Sequence, residues 1–177
     1  MEIFSPMYSL GDKVVHRLYG IGKIDAVECK PLNGIEVECF KVKTDNGNYW
    51  FPTDSFNNPR IHPVASKKLV EKAIEILRST PQGLANDQFE WKRRIDKVKT
   101  DGDFLAISEL VRDLSVLKAK KKLNRTQDQA LKILEDRLLR EWAASSEVDV
   151  NSIRPKFKAY LKESKENIRE GDYDETK

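Results

Sequence analysis

The residues of this chain best suited to chemistry are basic and aromatic, not nucleophilic. Trp91-Lys92-Arg93-Arg94 stands at the start of a helical pattern, and Lys118, Lys120, Lys121, Lys122 and Arg125 gather where one helical pattern ends and the next begins. Guanidinium and ammonium groups hold phosphates, and an adjacent indole can wedge against an unstacked base step. Spacing supports a competing reading. Trp91, Ile95 and Val98 fall at i, i+4 and i+7, the stripe of a buried helix face, and from pattern alone burial is favoured. For the lysine cluster, phosphate contact and a solvated helix C-terminus stand even. Tyr49-Trp50-Phe51 has the residue types of an aromatic cage for methylated lysine, but strand packing is the simpler account.

No group of residues fills the roles of a catalyst. There is no glycine-rich loop ending in Lys-Ser/Thr and no Gly-x-Ser-x-Gly elbow. Gly20-Ile21-Gly22 lacks the third glycine and the βαβ setting of a dinucleotide site. Cys29, Cys39, His16 and His62 are too few for a zinc centre or a disulfide framework. The expectation is no enzyme, no cofactor, no metal, and two reduced, packed thiols in a cytoplasmic protein.

Charge sharpens the picture. The chain has 177 residues and a net charge of +3, and the basic excess lies between residues 91 and 125. A local excess of this kind suits a polyanion. Apolar residues make up 39%, enough for two modest cores and too many for wholesale disorder. No apolar run is long enough for a membrane span, and Met1 to Leu10 lacks the pattern of a secretion signal.

The elements that must position these residues fall into two sets. Residues 10–64 read as short strands: Val14-Val15, Lys23 to Val27, Ile35 to Lys43, and Asn48 to Phe51. Asn33-Gly34 and Asp45-Asn46-Gly47 supply the turns. From Ser66 the period becomes helical. Leu69, Ala73, Ile76 and Leu77 mark one helix, stopped by Pro81, with a loop over Gln82 to Ala85. Asp87 to Glu90 fits a capping box ahead of Trp91. Ile107 to Leu117 reads as an amphipathic helix, Asn124 opens the next, and Ser152 and Pro155 open a last helix through Ile168. Gly171 to Lys177 reads as a polar tail. The expected class is α+β: a small antiparallel β-barrel or sheet (1–65), then a bundle of about five helices, divided as 66–148 and an extra helix with tail (149–177).

Gly11-Asp12-Lys13-Val14-Val15, Tyr19-Gly20-Ile21-Gly22, Pro63-Val64-Ala65-Ser66, Trp91-x-Arg93-Arg94, Gly102-Asp103 and Val111-Arg112-Asp113-Leu114 occur in that order. Together they resemble the CarD family of bacterial transcription regulators over roughly residues 8–148. The β-module also resembles that of transcription-repair coupling factors, but no helicase part is read here. The resemblance implies a Tudor-like domain that binds the β subunit of RNA polymerase, partly by strand-edge pairing. On this chain Lys30, Asn48, Tyr49, Trp50 and Phe51 would serve that contact. The helical domain would touch promoter DNA, without sequence specificity, at the upstream edge of the transcription bubble and change open-complex stability. Its contacts would be Trp91, Lys92, Arg93, Arg94, Lys121, Lys122 and Arg125, with Trp91 partly exposed as a minor-groove wedge. A monomer with no membrane contact is expected.

This chain departs from the family at several points. Lys30 and Trp50 stand where the family carries arginines, and His16-Arg17-Leu18-Tyr19 replaces a Tyr-Pro-x-His turn. The segment from Arg94 to Gly102 is shorter than usual by about a helical turn. The alternative from another class is a protein-interaction adaptor that makes no DNA contact.

Overall fold

Glycines and turn residues shape the first half of the chain. The computed structural model describes residues 8–55, 58, 60–81 and 87–167. The loop expected at Gln82 to Ala85, the helix end at Ile168 and the tail at Gly171 to Lys177 lie outside the described residues. The chain divides into two compact units after Val64.

The first unit is a five-stranded antiparallel sheet built from β1 (Lys13–His16), β2 (Gly20–Leu32), β3 (Ile35–Thr44), β4 (Gly47–Pro52) and β5 (Ile61–Pro63). The spatial order is β4-β3-β2-β1-β5. At the β2–β3 hairpin Asn33 and Gly34 take φ of 52° and 83°, the paired positive values that a tight two-residue turn demands. Gly22 serves a different need. A Cβ there would collide with the Val42 side chain and approach the Lys43 carbonyl oxygen to 2.8 Å, so only glycine lets β2 lie this close to β3.

β5 is absent from the sequence pattern, because three residues ending in proline are too short to show a period. β2 also runs five residues past Val27, to Leu32. A register shift between Ile24 and Ala26 breaks the alternation that would have revealed its length. Cys39 is buried but Cys29 is exposed, which corrects the expectation of two packed thiols.

One apolar cluster fills the sheet's inner face, with Val14, Ile24, Phe40, Val42, Tyr49 and Phe51 among its members. Each such side chain contributes about 1.5–3 kcal/mol by burial. His16 is buried beside this cluster and stacks on Tyr19 at 4.5 Å. Its Nδ1 accepts the amide N–H groups of Leu18 (3.0 Å) and Tyr19 (3.3 Å), which ties the β1–β2 turn together.

The second unit is helical throughout: α1 (Lys67–Arg78), α2 (Gln88–Asp101), α3 (Phe104–Lys120), α4 (Arg125–Ser146) and α5 (Val150–Glu166). Ser66, Asp87, Asp103, Asn124 and Asp149 cap them in turn, each accepting a first-turn amide. Such a cap is worth about 1 kcal/mol. Asp87 bonds the Phe89 amide, and the reciprocal capping box belongs to Asn124 and Gln127. α5 starts two residues before Ser152, because Asp149 takes the cap; Ser152 donates its hydroxyl back to the Asp149 carbonyl, and Pro155 lies inside the helix.

α3 is not amphipathic in its second half. Every residue from Leu110 to Leu117 is buried, because α1, α2, α4 and α5 all pack on it. α5 belongs to this core through Ile153, Phe157 and Leu161. It also holds the end of α1, where Ser164 donates to the Ser79 carbonyl (2.8 Å) and Arg78 pairs with Glu163 (2.6 Å).

Burial first, and then the Arg60 charge, hold the His16 pKa below its ordinary 6.5. The unfolded chain therefore takes up this proton at higher pH than the folded one. The His16 contribution is fully present above about pH 6.5 and declines as pH falls below it. An NMR titration of the His16 ring should give a midpoint under that of a free histidine, with denaturation midpoints falling over the same acid range. A ring that titrates at or above the free value would contradict the assignment of Nδ1 as an acceptor.

Candidate functional site

In α2 the stripe Trp91, Ile95 and Val98 faces the core, and Trp91 is only 3% exposed. The guanidinium of Arg94 lies 5.6 Å from the centroid of the Trp91 ring. Arg94 Nη2 pairs with Asp113 Oδ2 at 2.5 Å, and Arg112 Nε pairs with the other oxygen of the same carboxylate at 2.7 Å. Arg112 Nη1 continues to Ser79 Oγ at 2.7 Å and the Ile76 carbonyl at 3.4 Å. One buried carboxylate thus joins the middle of α2 to the end of α1 through α3.

One expectation needs correction here. Trp91 is not partly exposed, because its helical spacing places it on the same inward stripe as Ile95 and Val98. Arg94 pairs with Asp113 and keeps its side chain 33% exposed, less than the exposed cations beside it.

Lys92, Arg93, Lys121, Lys122 and Arg125 are all exposed. Of these cations, Lys92 lines a cavity that Asn124, the neighbour of Arg125 in sequence, also lines. A cavity of about 200 Å³ opens between the first turns of α2 and α4, lined by Phe89, Trp91, Lys92, Ile95, Asn124 and Gln127 among others. Lys118 pairs instead with Asp128 (3.2 Å), whose carboxyl is held below its usual range by Lys132 and then Lys118.

Phe89, which the sequence motifs do not single out, is 83% exposed at the cavity rim. A signal for it was available. Phe89 precedes Trp91 by two residues, about 200° around the helix, so a buried Trp91 turns Phe89 outward.

On the sheet, β4 forms an edge among the described residues, with its outer backbone groups unpaired by any other strand. Alternation divides its residues. Asn48 and Trp50 are exposed, whereas Tyr49 and Phe51 are in the core. The side chains of Tyr49 and Phe51 are therefore not available to a partner, and those positions offer only backbone. The same alternation rules out the methyl-lysine cage, since Trp50 faces away from both neighbours.

Lys30 and Trp50 come together around Glu28. Trp50 Nε1 donates to Glu28 Oε2 at 2.9 Å, and the Lys41 and Lys30 ammonium groups pair with the same carboxylate at 2.9 and 3.3 Å. The Lys30 ammonium also sits 4.5 Å from the Trp50 ring centroid. Hydrogen bonds from Lys41, then Trp50 and then Lys30 hold the Glu28 carboxyl down to about 2. The result is a fixed indole plate, 40% exposed, with two cations beside it.

Among the described residues no cluster of His, Cys, Asp or Glu could hold a metal ion, and no helix is long and apolar enough to cross a membrane.

Two family models match the chain: the CarD-like/TRCF RID domain over residues 8–65 and the CarD C-terminal domain over residues 72–158. The second match reaches into α5. YdeB of Bacillus subtilis (strain 168), a protein whose name proposes it as a transcription factor, is 28% identical over 131 residues, which cover 71% of this chain and 83% of YdeB.

Replacing Trp91 by alanine should empty a core site and cost about 3–5 kcal/mol of stability. Chemical denaturation measures this directly. A loss under about 1 kcal/mol, the range of surface substitutions, would place the indole outside the core.

Proposed function

The chain belongs to the CarD family of transcription regulators, and from that membership we propose that it binds the β subunit of RNA polymerase with its sheet unit and promoter DNA with its helical unit. Members of this family are regulators and not enzymes. The match of residues 8–65 to the RNA-polymerase-interacting domain carries the first half of the reading. The form of β4 supports it, because an unpaired strand edge can add a partner strand through backbone bonds. The Trp50 plate and Lys30 then supply side-chain recognition on one face of the added strand. A lysine keeps the positive charge of the family's arginine but not its paired donors, and Trp50 replaces charge with contact area.

The second half rests on the exposed cations Lys92, Arg93, Lys121, Lys122 and Arg125. Their partners on DNA would be phosphates, so affinity without polymerase would be weak and indifferent to sequence. Held by both contacts, the regulator would tether the upstream edge of the bubble and change the lifetime of the open complex. The adaptor reading, with no DNA contact, has no observation of its own in its favour.

Two outcomes are expected. The full chain should co-migrate with bacterial RNA polymerase, and Trp50→Ala should weaken that association by about 2 kcal/mol, the scale of an interface anchor. Full retention of binding by Trp50→Ala would move the contact elsewhere. In DNA binding, replacing Lys121 and Lys122 together by alanine should reduce the slope of log affinity against log salt by about 2, roughly one unit for each phosphate left without its lysine. An unchanged slope would remove these lysines from the interface.

A further inference from the structure

We propose that α5 carries a further DNA contact, a row of cations that lies along the phosphates of closed duplex and is separate from the cations of α2 and α4. This rests on the DNA reading above and adds to it a helix that the reading does not use. Arg154, Lys158, Lys162 and Lys165 fall at i, i+4, i+8 and i+11 of α5. At about 100° and 1.5 Å per residue they occupy one strip roughly 80° wide and about 16 Å long. Lys158 and Lys162 are exposed. Arg154 and Lys165 are half-buried beside the core residues Ile153 and Leu161, an arrangement in which long side chains lay their stems on apolar surface and keep their charge in water.

Like charges at this spacing repel and weaken a helix. On α4 the exposed cations are interleaved with carboxylates, as in the Asp128–Lys132 and Asp136–Arg140 pairs. The row on α5 is not. Of the two carboxylates of α5, Glu163 is turned to Arg78 on another side of the helix, and Glu166 reaches only Lys162, at 3.7 Å. Among the described residues Arg154, Lys158 and Lys165 enter no ion pair. The helices packed on α5 are α1, α3 and α4. Their exposed or half-buried carboxylates without an ion pair are Glu71 and Glu75 of α1, Glu109 of α3 and Glu135 of α4, and none of them pairs with the row; nor does Glu147, the C-cap of α4. The row therefore carries a repulsion that nothing described within the helical unit relieves and that an external polyanion would relieve.

The chemistry of the strip selects closed duplex DNA as that polyanion. Duplex carries one charge per ~1.7 Å of its axis, so a row of this length meets several phosphates at once. No aromatic side chain of α5 is free to hold an unstacked base, because Phe157 is buried and Tyr160 is stacked on Trp142. A membrane surface would need the apolar face of the helix, and that face is in the core. A protein interface would need an apolar centre, and no large apolar side chain of α5 is exposed. Lys162 and Lys165 lie beyond the match to the CarD C-terminal domain, which ends at residue 158, so half of the row is not part of that match.

The test measures duplex binding by the full chain as a function of salt. Lys158→Gln, Lys162→Gln and Lys165→Gln together should leave the melting temperature nearly unchanged and reduce the slope of log affinity against log salt by about 3, roughly one unit for each lost phosphate contact. This loss should add to that of the Lys121 and Lys122 double substitution, and arginine at the same three positions should keep the slope. An unchanged slope in the glutamine variant overturns the α5 contact and leaves the DNA reading standing. A slope lost equally with arginine gives these lysines a structural part and overturns the contact as well. Phosphatidylserine vesicles probe the other anionic surface: if the glutamine variant loses vesicle binding while its duplex slope is unchanged, the partner is a membrane and not DNA. Failure of the unaltered chain to bind duplex overturns both readings.

Discussion

The carboxylate of Asp113 is the interaction on which the helical unit depends. It is 1% exposed on the central helix α3, and it holds Arg94 from α2 and Arg112 from its own helix. Arg112 reaches on to the end of α1, and that end is held in turn by α5 through Ser164 and Glu163. Burying one carboxylate with two guanidiniums carries a desolvation cost, and such a group is weak evidence for net stability. Its effect here is positional. It fixes the rotation of α2 about its own axis, and that rotation decides which residues of Trp91-Lys92-Arg93-Arg94 face inward.

The same division governs the charge of this region. The basic excess between residues 91 and 125 is not one surface. Arg94 and the buried Arg112 are paired with Asp113, and Lys118 is engaged by Asp128. Lys92, Arg93, Lys121, Lys122 and Arg125 stay exposed, and Lys92 lines the cavity between the first turns of α2 and α4. The exposed basic charge of this region is therefore what the interior has not consumed.

In the sheet unit a surface carboxylate has the comparable part. Glu28 gathers Trp50, Lys30 and Lys41 from three adjacent strands and holds the indole in one orientation beside the β4 edge. A side chain fixed before binding loses less entropy when a partner arrives.

The sequence by itself determined the class of the fold and most of its elements. Asn33-Gly34 could hardly be anything but a hairpin turn, and the caps at Ser66, Asp87 and Asn124 announce their helices, because these signals act within a few residues. It also determined the Trp91, Ile95, Val98 stripe, which spacing alone assigned correctly to the core. Its motifs further pointed to the family. What only the tertiary structure decided is which of those motif residues meet. Trp91-x-Arg93-Arg94 and Val111-Arg112-Asp113-Leu114 read as two separate signatures along the chain, yet they are one ion-paired cluster in space. Lys30 and Trp50 read as unrelated departures, yet they share Glu28. β5 is too short to carry a period, so only the assembled sheet reveals it. The physical reason is common to all of these. Turns and caps are satisfied by neighbours in sequence, whereas ion pairs, strand edges and cavities are made by residues that only packing brings together.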